Sequence, residues 1–173
     1  MAVKTVLRMG HPVLKKIAEP VTEFNTPVLD GIIEDMFDTM AATNGVGLAA
    51  PQIGISKRII IFSVSDNPRY PGVEPVPETI LINPQIELLG EQMSDAWEGC
   101  LSIPGMRGLV PRYEEIIYRG VDPQGQSIER QASSFHARVV QHEMDHLDGV
   151  LYPQRIRDMQ MFGFEEELSG HDY

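Results

Sequence analysis

The apolar residues of this chain recur with two different periods, and the changes between them mark out its elements. In "TPVLDGIIEDMFDTMAAT", Val28, Leu29, Ile32, Ile33, Met36 and Met40 return at helical spacing. Thr26 can cap the first turn and Pro27 fits inside it, so the pattern predicts a helix with both methionines as core filling. "NGVGLAAPQIG" breaks the period with three glycines and a proline and reads as an irregular loop. "RIIIFSV" is a β-branched run and reads as a strand, and the Pro- and Gly-rich stretch from Asp66 to Pro77 as a surface loop. "TILINPQIELLG" reads as strand, turn and strand, and "EEIIYRGVDPQGQSIERQ" as a hairpin turning at Asp-Pro-Gln-Gly. Helical spacing returns in "SSFHARVVQHEMDHLDG", where Ser133 or Ser134 can cap, Gly149 can stop the helix, and Phe135, Val139, His142 and His146 share one stripe. Strands leading into a helix with an inward stripe, after an earlier helix, predict an α+β domain.

Composition narrows the setting. The 173 residues, 42% hydrophobic and 23% charged, suit one globular domain. A net charge of −11 repels phosphate backbones, so no direct nucleic-acid binding is expected. The acidic run Glu165-Glu166-Glu167 reads as a solvated tail. No apolar run approaches bilayer length, and "MAVKTVLRMGHPVLKK" resembles neither a secretory leader nor a transit peptide. A single cysteine excludes an internal disulfide and suits a reducing compartment, so the chain is expected to be cytoplasmic.

The second helix carries the candidate chemistry. His142 and His146, four positions apart, project from one face and can grip one ion. Glu143, about 100° further around the helix, can reach a water on that ion and act as a base. A solvated helix face is the bland alternative, but the histidines continue the stripe of Phe135 and Val139 and so point inward. A hydrolytic site of this kind needs a third protein ligand. His11, His136, His171, acidic residues and Cys100 are the candidates; His136 fails because it falls on the opposite side of the helix. Cys100, in the extended segment "WEGCLSIPG", is the chemically favoured choice, although spacing alone does not single it out.

With "GVGLAAPQ", "EGCLS" and "QHEMDHLDG" in that order, the chain resembles the peptide deformylases, from "HPVLKKIAEPV" to about Tyr152. The resemblance implies small antiparallel sheets wrapped around a central His-Glu-x-x-His helix, within a single catalytic domain over 1–173 that ends in a short acidic tail from about 157. It implies Cys100, His142 and His146 as ligands of one divalent ion, Fe²⁺ first, with Zn²⁺ or Ni²⁺ able to replace it. It also implies removal of the N-formyl group from the formylmethionine of nascent peptides. A water acidified by the ion attacks the formyl carbonyl, Glu143 accepts its proton and passes it to the leaving amine, and formate is released. The Gln52 amide and the Leu101 backbone N–H match the family's oxyanion donors. Gly45 and Gly47 would let the main chain run beside an extended peptide, and Val46 would help line a methionine pocket. Glu98 and Arg112 match positions expected to pair and brace the Cys100 segment; Asp145 could orient a neighbouring group, and Trp97 is expected to serve packing.

Two departures from the family pattern bear on partners. Asn44 stands where some relatives carry an acidic residue near the substrate entrance. The tail "FGFEEELSGHDY" is acidic where some relatives end in a basic ribosome-docking helix, so docking by that route is not expected, and the chain is expected to act as a monomer. The rival readings are a metallopeptidase cutting internal peptide bonds and a non-catalytic binder of formylated N-termini; intact Glu143 and Gln52 weigh against the second.

Overall fold

Four consecutive residues, Ile59 to Phe62, are fully buried, which requires apolar packing on both faces of the strand that holds them. That strand is β2 (Ile59–Val64), inside an antiparallel sheet of order β1-β2-β3-β6-β7, with β1 at Gly47–Ala49, β3 at Val76–Leu88, β6 at Glu115–Val121 and β7 at Ser127–Ser133. The structure, a computed structural model, describes residues 2–64 and 72–168.

One face of the sheet, through Ile60, Phe62, Leu81, Ile116 and Tyr118, packs against Ala137, Val140 and Leu147 of the second helix, α2 (Ser134–Leu147). The other face, through Ile59, Ile61 and Ile82, packs against the first helix, α1 (Pro27–Ala42). A second sheet of order β4-β5-β8 comprises β4 (Met93–Cys100), β5 (Ile103–Tyr113) and β8 (Phe162–Phe164), followed by the short helix α3 (Glu165–Leu168). Its small core of Ile103, Val110, Leu151 and Tyr152 includes Cys100. The α+β fold, with antiparallel sheets around a central motif-bearing helix, is therefore the expected one.

Both helices occur where the periodicity puts them, and Thr26 Oγ1 caps α1 by accepting from Leu29 N at 3.2 Å. Val28 is a correction. It is 74% exposed, because Leu29, Ile33, Met36 and Met40 already fill the inward stripe. "TILINPQIELLG" is not two strands but part of the unbroken β3, with a one-residue bulge between Ile82 and Gln85. Asn83 absorbs the extra residue at φ 51°, held by bonds of 2.9 Å to both the N–H and the carbonyl of Val21. Of the loop expected from Asp66 to Pro77, residues up to 71 lie outside the described residues, and β3 already begins at Val76. The C-terminal acids Glu165, Glu166 and Glu167 are exposed, as expected, and Glu165 also pairs with Arg107 at 2.8 Å. Among the described residues, no helix is long and apolar enough to cross a membrane.

Candidate active site

α2 is buried on several sides at once, so its polar residues need partners inside the protein rather than water. On one side it meets the end of β4. There Cys100 Sγ lies 3.3 Å from His146 Nε2, and ligand atoms of Cys100, His142 and His146 all fall within 4.8 Å of one another. Donor atoms around one tetrahedral ion stand about 3.5 Å apart, so the trio has the spacing of a metal site. A thiolate with two imidazoles is a donor set for Fe²⁺, Zn²⁺ or Ni²⁺ rather than for Ca²⁺ or Mg²⁺. The residues therefore fit a divalent transition metal. Cys100 joins the histidines because β4 and β5 meet in a tight turn that lays the strand end against the helix.

Glu98, two residues before Cys100 on β4, meets His142 Nδ1 at 2.8 Å. Burial opposes its charge, but bonds from His142 and Arg112 outweigh this and hold its carboxyl far below the usual range. An ionised carboxylate only accepts, so Nδ1 of His142 carries the proton and Nε2 is left to serve as a ligand. Burial also disfavours charge on His142, yet its bonds to Cys100 and Glu98 prevail and raise its pKa well above the ordinary value. His146 shifts the other way, lowered by burial and by the positive charges of His142 and Arg112. The expected brace is present: Arg112 grips Glu98 through two bonds of 2.9 and 3.0 Å, both side chains buried. Asp145 orients Arg112, at 2.6 Å, rather than a histidine.

Glu143 points the other way around α2, toward β1. Its Oε2 is buried without a hydrogen-bond partner among the described residues. Burial, with a contribution from nearby Glu98, raises its pKa to about 7, against lowering by His142 and Arg112. A carboxyl balanced near neutrality suits proton transfer in both directions. Gly47 makes room for it, because a methyl group at that position would overlap the Glu143 carboxylate.

Gln52 sits in a short 3₁₀ turn, Ala50–Ile53, and is buried. Its Oε1 accepts from Ala49 N at 2.9 Å, which fixes the amide so that Nε2 faces the cluster, 3.1 Å from Ser102 Oγ and 3.6 Å from Cys100 Sγ. Leu101, in the β4–β5 turn, and Val46, just before β1, line the same cavity of about 310 Å³, as do Gly47, Glu143, Phe135 and Val139. Trp97, expected to serve packing, lines it as well.

The structure thus brings Cys100, His142, His146, Glu143, Gln52, Leu101, Val46 and Gly47 to one place, while His11 caps a 3₁₀ turn, His136 packs against Phe62 and Tyr118, and His171 lies outside the described residues. Sequence reasoning misses two further members, Ser102 and Arg138. Nothing in the pattern marks Ser102. A charged residue within the apolar stretch before His142 is the available signal for Arg138.

A polypeptide deformylase family model matches residues 3–161. Peptide deformylase 1 of Nitrosomonas europaea is 58% identical over 166 residues, covering 96% of this chain and 94% of that protein. Peptide deformylase 1 of Bordetella pertussis matches to the same extent, also 58% identical over 166 residues. Among solved structures, the Met-Ala-Ser-bound class I type b peptide deformylase of Acinetobacter baumannii superposes with a TM-score of 0.87 at 42% identity, covering 90% of this chain and 99% of that one. Peptide deformylase of Thermotoga maritima superposes with a TM-score of 0.80 at 38% identity, covering 91% and 100%.

Proposed function

The chain belongs to the peptide deformylase family, and we propose that in it Cys100, His142 and His146 hold one divalent ion while Glu143 carries the proton. It is a metal-dependent amide hydrolase that removes the N-formyl group from formylated peptides. The observation that carries the assignment of roles is the convergence of one sulfur and two imidazoles within 4.8 Å, with a Glu143 oxygen that has no partner among the described residues beside them.

When bound, the ion supplies Lewis acidity, which lowers the pKa of water and polarises a carbonyl oxygen. Glu143 accepts a proton from the attacking water and returns one to the peptide nitrogen as the formyl C–N bond breaks, leaving formate and a free amino terminus. Gln52 Nε2 and the Leu101 N–H donate to the oxyanion that develops on the formyl oxygen, where one donor contributes about 3 kcal/mol. The apolar cavity beside Val46, Phe135 and Val139 takes the methionine side chain.

β1 and β4 are each an edge strand of their sheet, and both border this cavity. A peptide laid between them can bond through its main chain whatever its sequence, with Gly47 and Val46 on one flank. The Acinetobacter relative binds Met-Ala-Ser, a peptide of that size. Fe²⁺ is the proposed native metal, with Zn²⁺ and Ni²⁺ as competent replacements. The setting proposed is a cytoplasmic monomer, one catalytic domain over 1–173, acting on nascent chains near the ribosome without docking through its acidic tail.

Anaerobic assay of formyl-Met-Ala-Ser beside unformylated Met-Ala-Ser, with Fe²⁺ or Ni²⁺ supplied, tests this reading. Formate release from the first alone is expected. Cleavage of the second would make the protein a general peptidase, and no formate from fully metallated protein would leave it a binder.

A further inference from the structure

Glu98 uses both carboxylate oxygens twice. Oε1 accepts from Arg112 Nε and Arg138 Nη1, each at 2.9 Å, while Oε2 accepts from Arg112 Nη2 at 3.0 Å and meets His142 Nδ1 at 2.8 Å. The two arginines hold it differently. Arg112 is shared, since its Nη1 bonds Asp145 at 2.6 Å, and Asp145 is held in turn by Arg155 at 2.7 Å. Arg138 bonds no second carboxylate among the described residues. Its Nη1 also donates to Val110 O at 2.8 Å, and its Nη2 to Ser94 O and Oγ at 2.8 and 3.3 Å.

Arg138 therefore clamps α2, one turn before His142, onto both β4 and β5. It is only 7% exposed and lines the substrate cavity. Packing alone does not call for a guanidinium there, because an apolar side chain of similar volume fills such a place without the cost of burying charge. What only the guanidinium can do is hold Oε1 of Glu98 and the strand carrying it at the same time.

We propose that Arg138 is a positioning residue for the metal centre: by fixing Oε1 of Glu98 it keeps Oε2 on His142 Nδ1, and so aims the other imidazole nitrogen at the site shared with Cys100 and His146. The inference rests on the metal-site reading above. Without Arg138, Glu98 is left with Arg112, which Asp145 also draws, and the carboxylate can swing away from the imidazole. Loss of an outer partner of a metal-binding histidine typically lowers metal affinity or activity about 10–100-fold.

The test uses Co²⁺ as the probe in the full chain, with Arg138→Met to remove every donor and Arg138→Lys to keep the charge and one donor. Co²⁺ affinity is read by chelator competition, the ligand field by visible absorption, and fold integrity by the thermal midpoint of the metal-free protein. Arg138→Met should weaken Co²⁺ about 10–100-fold and shift the absorption bands, with Arg138→Lys intermediate. Should Arg138→Met not fold, the same readouts on Arg138→Lys decide alone. Affinities within about twofold of wild type and unchanged spectra, with only the thermal midpoint lowered, would overturn the proposal and make Arg138 a strut. Wild-type protein that binds no Co²⁺ would instead overturn the metal-site reading, and this inference with it.

Discussion

A buried carboxyl whose pKa stands at about 7 is costly to keep, because folding must strip water from a group that ionises readily outside. That cost identifies Glu143 as a functional rather than a packing residue. Glu143→Gln keeps the shape and removes the proton carrier, so kcat should fall by about 10²–10⁴-fold or more while the metal content, measured by elemental analysis, stays at one per chain. Its thermal midpoint near pH 7.5 should not drop, since a neutral amide escapes the desolvation that raises the carboxyl. Gly47 belongs to the same scale. The sequence suggests that it lets the main chain run beside a peptide, and the structure adds that it gives room to Glu143. Gly47→Ala retains the main-chain N–H and C=O offered to substrate but pushes the carboxylate aside. Steady-state kinetics should show kcat down by about 100-fold with KM little changed. A rise in KM alone would mean that Gly47 serves the peptide and not Glu143. The ligands and Glu143 are legible in the sequence because metal chemistry needs those residue types at i and i+4. The room for Glu143 is not, because it depends on a contact between segments almost a hundred positions apart.

At the level of elements, α2 is squeezed between sheets, and the side away from the metal has its own polar problem. His136 packs against Phe62 and Tyr118, its Nε2 3.3 Å from Tyr118 Oη, with Arg130 close by. Burial, then the Arg130 charge, lowers its pKa to about 4, so the folded protein holds it neutral where an unfolded chain would begin to protonate it near 6.5. A depressed histidine pKa means the unfolded state binds more protons between those values, and stability must fall as pH drops through the window. The contribution is complete above about pH 6.5 and gone below about pH 4. Urea midpoints of wild type and His136→Gln at pH 7.5 and pH 5 should show the wild type losing more; equal losses would mean that this histidine is not held neutral. The period of the apolar pattern makes α1, α2, β2 and the β6–β7 hairpin readable. It hides the continuity of β3, because Asn-Pro imitates a turn and only the bonds of Asn83 to Val21 turn it into a bulge. It is also nearly silent on β4 and β5, whose Gly and Pro residues look like loop although the two strands pair along most of their length.

For the molecule as a whole, the ligand set spans two layers that side-chain bonds such as Arg112–Asp145 and Glu98–His142 also join: Cys100 comes from the three-stranded sheet, and His142 and His146 from the helix under the five-stranded one. A bound ion therefore adds one more link between the two layers, made through the ligands themselves. Binding to the folded state alone adds about 2.7 kcal/mol when free metal is a hundredfold above its Kd, so chelation should lower the thermal midpoint and Zn²⁺ should restore it. Cys100→Ser should blunt that response. The fold class and the family resemblance are accessible from the sequence, since three ordered motifs survive without any structure. The pairing of two separate sheet edges around one cavity is not, because strand order cannot be read from local pattern.

The most direct measurement is X-ray absorption fine structure of the zinc-loaded protein. One sulfur at about 2.3 Å and two imidazole nitrogens at about 2.0–2.1 Å, with the sulfur lost in Cys100→Ser, is the expected result. A stoichiometric ion surrounded only by nitrogen and oxygen would contradict the assignment of Cys100, His142 and His146 to one metal.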